Sequence, residues 1–211
     1  MLPNVTLIVA YTSNGRVIGQ DQEIPWSFKK DFQHFQACTL GQPIVMGSKT
    51  WDSLPNAPLK RRMNIVLSRE RAAEKFRGAF AVYNNFDLMV MNLAGFERLF
   101  VIGGEEIYKA ALPYVNDVIA TEVELEVSGN RYFPALPESG WITNASYSRQ
   151  DIDRKTGKLV TLRHVHYVDT DRATEHYSKH NAEFRCYLET LRAADAATTA
   201  FESTVKHASQ P

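Results

Sequence analysis

Pro25-Trp26-Ser27-Phe28-Lys29-Lys30-Asp31-Phe32-Gln33-His34-Phe35 is the stretch whose reading decides the fold. Phe28, Phe32 and Phe35 recur at i, i+4 and i+7, so the spacing predicts a helix that starts near Phe28, is capped by Ser27 and carries an aromatic stripe. Asp31 falls inside that stripe. A carboxylate on the buried face of a helix is costly unless partnered, and burial raises its pKa. Asp31 is therefore either a cap or salt-bridge member, for which it stands slightly late in the first turn, or a group retained for chemistry.

The chain around it has 211 residues, 44% hydrophobic and 23% charged, which fits one globular domain with a short appendage. Its 24 Lys and Arg balance 24 Asp and Glu, which argues against nucleic acid or an anionic membrane and leaves any anion site to a local cluster. The expected partner is a small molecule. Cys38 and Cys186 make neither a disulfide framework nor a metal knuckle; each follows a helical aromatic pattern that packing explains, and a reducing cytoplasm fits. The N-terminus enters an apolar run without a basic leader, and no stretch approaches the ~20 apolar residues of a membrane span, so the sequence reads as soluble and unprocessed.

Upstream of the Asp31 helix, residues 5–11 are continuously apolar and rich in β-branched side chains, the pattern of a strand buried on both faces. Residues 12–23 are polar and punctuated by Ser13-Asn14-Gly15 and Gly19, either a lid or a passive connection. Downstream, strands alternate with short helices. Strands are expected over residues 43–47, 63–68, 79–83, 98–102 and 117–127, and helices from Ser48, from a cap at Asn84 or Asn85, and over residues 105–112, ended by Pro113. Residues 141–153 and 158–169 alternate around Lys155-Thr156-Gly157-Lys158, an antiparallel hairpin closing a mixed sheet.

Three features bear on chemistry. Gly47-Ser48-Lys49-Thr50 combines glycine, hydroxyls, a cation and free helix N–H groups, which suits a phosphate, although solvated charges read equally well. Gly103-Gly104 lets the backbone approach a ligand closely, yet the full G-x-G-x-x-G pattern is absent. His164 with His166, and His176 with His180, share faces, but neither pair has a clustered third ligand, so no metal is expected.

Leu7-Ile8-Val9-Ala10, Val17-Ile18-Gly19, Ile24-Pro25-Trp26, Asp31, Phe35, Met46-Gly47-x-x-Thr50-Trp51, Asn64-Ile65-Val66-Leu67-Ser68, Val101-Ile102-Gly103-Gly104, Tyr108 and Phe133-Pro134 stand in the order and spacing of dihydrofolate reductases. Over about residues 2–169 the chain resembles that family. The resemblance implies an α/β fold with an eight-stranded, mostly parallel mixed sheet, flanking helices and a C-terminal helical extension. It implies an oxidoreductase that reduces dihydrofolate to tetrahydrofolate with NADPH, supplying one-carbon carriers for thymidylate and nucleotide synthesis, and a target for antifolates. A pyrimidine reductase of the riboflavin pathway shares the fold, but the Asp31 helix and Arg62 argue against it, and an intact Asp31, lid and glycine turn disfavour a non-catalytic binding component.

Residue by residue, the resemblance makes Asp31 the carboxylate at the bottom of the pterin pocket, able to meet the 2-amino group and a ring nitrogen and to help a proton toward N5. Thr121 is the hydroxyl behind it, Ile24 the lid residue near the nicotinamide, and Trp26 completes the catalytic group. Ile8, Val9 and Ala10 line the pocket, Phe32, Phe35, Leu54 and Leu59 form walls, Ile102 and Tyr108 close it, and Arg62 holds the substrate's α-carboxylate. The cofactor residues are Ala10, Ile18, Gly19, Gly47, Ser48, Lys49, Thr50, Leu67, Ser68, Arg69, Ile102, Gly103, Gly104, Glu105, Glu106, Ile107 and Tyr108. Among these, Gly103-Gly104 is the family's non-proline cis bond, and Lys49, Thr50 and Arg69 supply charge for a 2′-phosphate, favouring NADPH over NADH.

Three departures stand out. Lys60-Arg61 replaces Pro-Gly before the arginine and makes that loop more basic, Asn130 replaces an acidic residue facing the lid, and Phe28-Lys29 replaces Leu-Pro. Residues 170–211 lie beyond the resemblance. There Tyr177, Phe184, Leu188 and Leu191 predict one helix, docked on its own core or presented to a partner or second copy, with a frayed end from Asp195. With the reductase domain at 1–169 and the extension at 170–211, the chemistry is expected to survive loss of the extension and the protein to be monomeric.

Overall fold

Strand β1, Asn4–Thr12, is buried along most of its length, as a run apolar on both faces requires. The structure is a computed structural model that describes residues 2–70, 73–137, 139–172 and 175–208. After β1 come β2 (Val17–Gly19), α1 (Lys29–Thr39), β3 (Pro43–Gly47), α2 (Ser48–Ser53), β4 (Met63–Leu67), β5 (Ala81–Tyr83), α3 (Phe86–Asn92), β6 (Arg98–Gly103) and α4 (Glu105–Ala111). The chain continues through β7 (Val115–Val123), β8 (Arg131–Tyr132), β9 (Trp141–Ile152), β10 (Leu159–Asp169) and α5 (Glu175–Ala208). Eight strands form one sheet in the order β5-β4-β3-β6-β1-β7-β10-β9, parallel from β5 to β7 and antiparallel for β10 and β9. The mixed sheet and closing hairpin expected from the sequence are both present.

Alternation along β1 sends its side chains to two cores. Val9 and Tyr11 pack with Phe86, Leu93, Val101 and Tyr108 on one face. Ile8 packs with Ile44, Met46, Trp51, Phe100 and Ile119 on the other, where Phe184 and Leu188 of α5 complete the cluster. α5 thus docks on the chain's own core. It also runs past Asp195 to Ala208, where fraying was expected. The physical reason is that alanine, the commonest residue of that segment, is the strongest helix former even without an apolar stripe.

The start of α1 differs from its sequence reading. Phe28, not Ser27, occupies the cap position, and neither residue caps with a side chain. Two carboxylates of the β9–β10 hairpin do this work instead: Lys30 N donates to Asp151 Oδ2 at 2.7 Å and Ser27 N donates to Asp153 Oδ1 at 2.8 Å. The aromatic stripe is also split. Phe28 is buried and Phe35 partly so, but Phe32 is 62% exposed, and His34 and Thr39 are the buried residues of the helix. The polar stretch after β1 contains β2, which pairs with β8. Asn130 pins this loop by donating to Asp21 Oδ1 at 2.8 Å and accepting from Asp21 N at 3.2 Å, a two-way exchange that an acidic residue lacks the N–H to make. Cys186 is exposed, so packing does not explain it, whereas Cys38 is half-buried with its thiol pushed up to about 12 by burial.

Candidate active site

Asp31 lies in the first turn of α1. Thr121 on β7 is paired with Ala10 of β1 on one side and His164 of β10 on the other, so the sheet register places its hydroxyl among these strands. Burial raises the Asp31 pKa from 3.8 to about 6, the Thr121 hydroxyl opposes the rise, and Asp151 adds to it. Such a group is half-protonated within the range where proton transfer is useful.

A carboxylate whose folded pKa exceeds its unfolded value weakens the fold once pH rises through the folded value, and the penalty is absent below the unfolded one. Asp31→Asn is therefore expected to stabilise the protein above about pH 6 by about 1–2 kcal/mol, less than the full shift implies because the carboxyl retains contact with water. Urea melts across pH check this. The gain should vanish below about pH 4; a gain independent of pH would mean that burial of this charge is not its source.

Half-buried apolar residues surround this region. Phe35, Leu54, Leu59 and Ile102 pack against the cluster that contains Ile8. Tyr108 Oη donates to Ile8 O at 2.9 Å, tying α4 to β1. Ile24 and Phe32 remain 53% and 62% exposed on the segment that carries Asp31, an apolar surface suited to a flat ring. Val9 points its side chain into the opposite core, and Trp26 is buried with Phe28, Val123, Val160 and Leu162, so its side chain serves packing. Arg62 lies over the Phe35 ring at 5.6 Å, donates from Nε to Thr39 Oγ1 at 2.8 Å and from Nη1 to Lys60 O at 3.0 Å. Among the described residues no hydrogen bond uses its Nη2. The guanidinium is thus anchored through Nε and Nη1 while Nη2 remains available. Asn64 braces the loop before it by accepting from Leu59 N and donating to Leu59 O, both at 2.8 Å.

The glycines meet at the carboxyl ends of adjacent parallel strands. Met46 of β3 pairs with Gly103 of β6, so Gly47 and Gly103-Gly104 lie side by side where α2 and α4 begin. This is the crevice in which open α/β sheets bind ligands. The Gly103-Gly104 bond is cis, as the resemblance implied; Ala57-Pro58 is also cis, which the sequence reading did not anticipate. A Cβ on Gly103 would stand 3.2 Å from the Tyr108 ring, one on Gly104 3.4 Å from Thr50 Oγ1, and one on Gly47 2.9 Å from Ile107. At Gly47 and Gly103 glycine is thus required by close packing against Ile107 and Tyr108, and Gly103 also has a positive φ of 116°.

The charged members of the expected cofactor group divide. Lys49 and Arg69 are exposed at the ends of β3 and β4, with Leu67 and Ser68 buried beside Arg69. Ser68 Oγ accepts from Glu70 N at 3.1 Å and so shapes that turn. Glu105 is structural: it accepts from Lys109 Nζ at 2.8 Å and from Tyr132 N at 3.1 Å, and Glu106 accepts from the same lysine at 3.2 Å. Ile18 is half-buried, and Gly19 O accepts from Asn130 N at 3.1 Å.

Residues missed by the sequence reading come from the far end of the chain. Lys155 Nζ donates to Ile24 O at 2.6 Å, so the β9–β10 turn grips the loop before α1. His164 and His166 do not form a metal pair; they reach Thr121 at 3.0 Å and Asp117 at 2.8 Å. Their i, i+2 spacing was visible, but the partners were not. The side chains of His176 and His180 lie outside the described residues. A concavity of about 310 Å³ lined by Tyr11, Phe133, Trp141 and Tyr167 opens on the other face of β1, away from Asp31.

The dihydrofolate reductase family model matches residues 4–167. The chain is 37% identical over 164 residues to a dihydrofolate reductase of Neisseria meningitidis serogroup A, covering 78% of this chain and 97% of that one. It is 36% identical over 137 residues to one of Bacillus subtilis, covering 65% and 79%, and 33% identical over 160 residues to the type 3 dihydrofolate reductase of Salmonella typhimurium, covering 75% and 96%. The family match ends within β10, so α5 lies beyond it. With that match spanning the sheet, the Asp31 helix and the glycine crevice, the chain belongs to the dihydrofolate reductase family.

Proposed function

We propose that this chain is a cytoplasmic, monomeric reductase that converts dihydrofolate to tetrahydrofolate with NADPH. The observation that carries the reading is the buried carboxyl of Asp31, beside the Thr121 hydroxyl, on the helix whose Phe35 packs with Leu54 and Leu59 and carries Arg62 over its ring. No helix among the described residues is long and apolar enough to cross a membrane.

NADPH, when bound, supplies the hydride. Gly47, Gly103 and Gly104 fit such a dinucleotide because they adjoin at the carboxyl ends of β3 and β6, where α2 and α4 begin, and Lys49, Thr50 and Arg69 would hold its 2′-phosphate. Asp31 would accept two charge-assisted hydrogen bonds from the 2-amino group and ring nitrogen of a pterin, fixing the ring's orientation. Its raised pKa also keeps a proton available for transfer toward N5, directly or through water. Phe35, Leu54 and Leu59 would exclude water from the aminobenzoyl ring, and Arg62, through Nη2 and the second N–H of Nη1, would bind the α-carboxylate. Beyond it, a groove of about 510 Å³ is lined by Arg61, Arg62, Met63, Asn64 and Phe80, which favours substrates with further carboxylates. The test is loss of NADPH absorbance with and without dihydrofolate; consumption independent of dihydrofolate would reject the assignment.

Arg62→Leu is expected to weaken dihydrofolate binding about 10–100-fold, the equivalent of 1.5–3 kcal/mol for a charge-assisted pair, with little change in NADPH binding. Arg62→Lys should recover only part, because the point charge lacks the bidentate fork. Titration calorimetry with each ligand separates these results, and equal losses for both ligands would contradict the role.

A further inference from the structure

The Thr121 hydroxyl has one proton and two claimants. His164 Nδ1 stands 3.0 Å away across the β7–β10 ladder, and the Asp31 carboxyl is the other group that the hydroxyl stabilises. Both Thr121 and His164 are buried, at 2% and 0% exposure. His164 is held neutral, its pKa lowered to about 3 by burial and by Arg149 of β9, so its ring carries a single N–H. Its Nε2 has no partner among the described residues. Buried N–H groups without acceptors are rarer than acceptors without donors, so the proton belongs on Nδ1. His164 then donates to Thr121 Oγ1, and the hydrogen of Thr121 is left to point at Asp31.

We propose that His164 is a positioning residue for the active-site carboxylate, fixing the Thr121 hydroxyl as a donor to Asp31. The proposal rests on the reading of Asp31 as the group that assists proton transfer. Other elements hold the histidine in place. The His34 ring of α1 packs on His164 with centroids 4.4 Å apart, and His34 Nδ1 lies 3.1 Å from Tyr187 Oη of α5. Cys38 Sγ is 3.9 Å from the same nitrogen. Arg149, whose charge acts on both rings, is paired with Asp195 of α5 at 2.8 Å, and the charge of Asp151 on β9 acts on Asp31. Further along β10, His166 is bound to Asp117, itself paired with Arg98, and so does not compete for Thr121. A hydrogen bond to the ionised carboxylate favours the charged form, so the direction of this one hydroxyl tunes the pH at which Asp31 holds its proton.

Long-range ¹H–¹⁵N spectra of the parent report the His164 tautomer, and ¹³C-carboxyl titration reports the Asp31 midpoint in the parent, His164→Phe and His164→Asn. Nδ1-protonated His164 is expected. His164→Phe should raise the Asp31 midpoint by about 0.5–1 unit, and His164→Asn, whose amide nitrogen can donate from near the Nδ1 position, should return it to the parent value. The pH profile of single-turnover hydride transfer should shift with it. An Nε2-protonated ring, an unchanged or lowered midpoint in His164→Phe, or equal shifts in both variants would overturn the proposal. If His164→Phe fails to fold, the parent tautomer and His164→Asn decide. A midpoint that moves while the rate profile stays fixed upholds the His164–Thr121–Asp31 coupling and instead rejects the role of Asp31 in the reaction.

Discussion

Asp31→Asn is expected to slow hydride transfer at neutral pH by about 10²–10⁴-fold while leaving the protein folded. The amide retains the size of the carboxyl and part of its hydrogen bonding, so the loss isolates the titrating group. The defect should shrink in acid. As pH falls, more dihydrofolate is protonated at N5 in solution, so the variant's rate should climb, while the parent's rate levels off below the Asp31 pKa of about 6. The same substitution is expected to stabilise the fold at neutral pH, because a buried charge is removed. Slower chemistry together with higher stability distinguishes a group kept for function from one kept for structure. Single-turnover rates against pH, with melts of both proteins, provide the measurement. A folded variant reacting at near-parental rate at pH 7 would exclude Asp31 from proton delivery.

Much of this site was legible because its signals are local. The apolar run of β1, the glycine pair after β6 and the carboxylate within an aromatic stripe each show in a few consecutive residues, and their order fixes the family. What surrounds Asp31 was not legible, because it depends on sheet register. Asp151 and Asp153 cap the start of α1 from more than 100 residues away, as the separations of 121 and 126 show, and no local pattern announces this. His164 could be read only as sharing a strand face with His166, without a metal, and its partner Thr121 came with the β7–β10 ladder. Phe32 was read with Phe28 and Phe35 as one stripe, yet it is exposed. Helical periodicity marks a face without telling whether protein or ligand covers it.

Ending the chain after Asp169 is expected to unfold the protein or lower its melting temperature severely, contrary to the independence that the end of the family resemblance suggested. Phe184 and Leu188 are 6% and 3% exposed and complete the core that contains Ile8, Phe100 and Ile119. Burying such side chains contributes about 1.5–3 kcal/mol each, and their removal also uncovers what they cover. Phe184 packs on His166 with ring centroids 4.6 Å apart, Tyr187 reaches His34, and Asp195 accepts from Tyr147 Oη and Arg149 Nη2, both at 2.8 Å. Without α5, His34 loses the hydroxyl of Tyr187 and Arg149 loses Asp195, so the floor beneath α1 is disturbed where it carries Asp31. A loss on the order of 5 kcal/mol matches the whole stability of many domains. Phe184→Ala alone is expected to cost about 3–5 kcal/mol. Thermal melts and dihydrofolate reduction by the truncated chain provide the check: a parental melting temperature would make α5 a separable appendage, whereas a folded but much weakened enzyme would make it a support of the site.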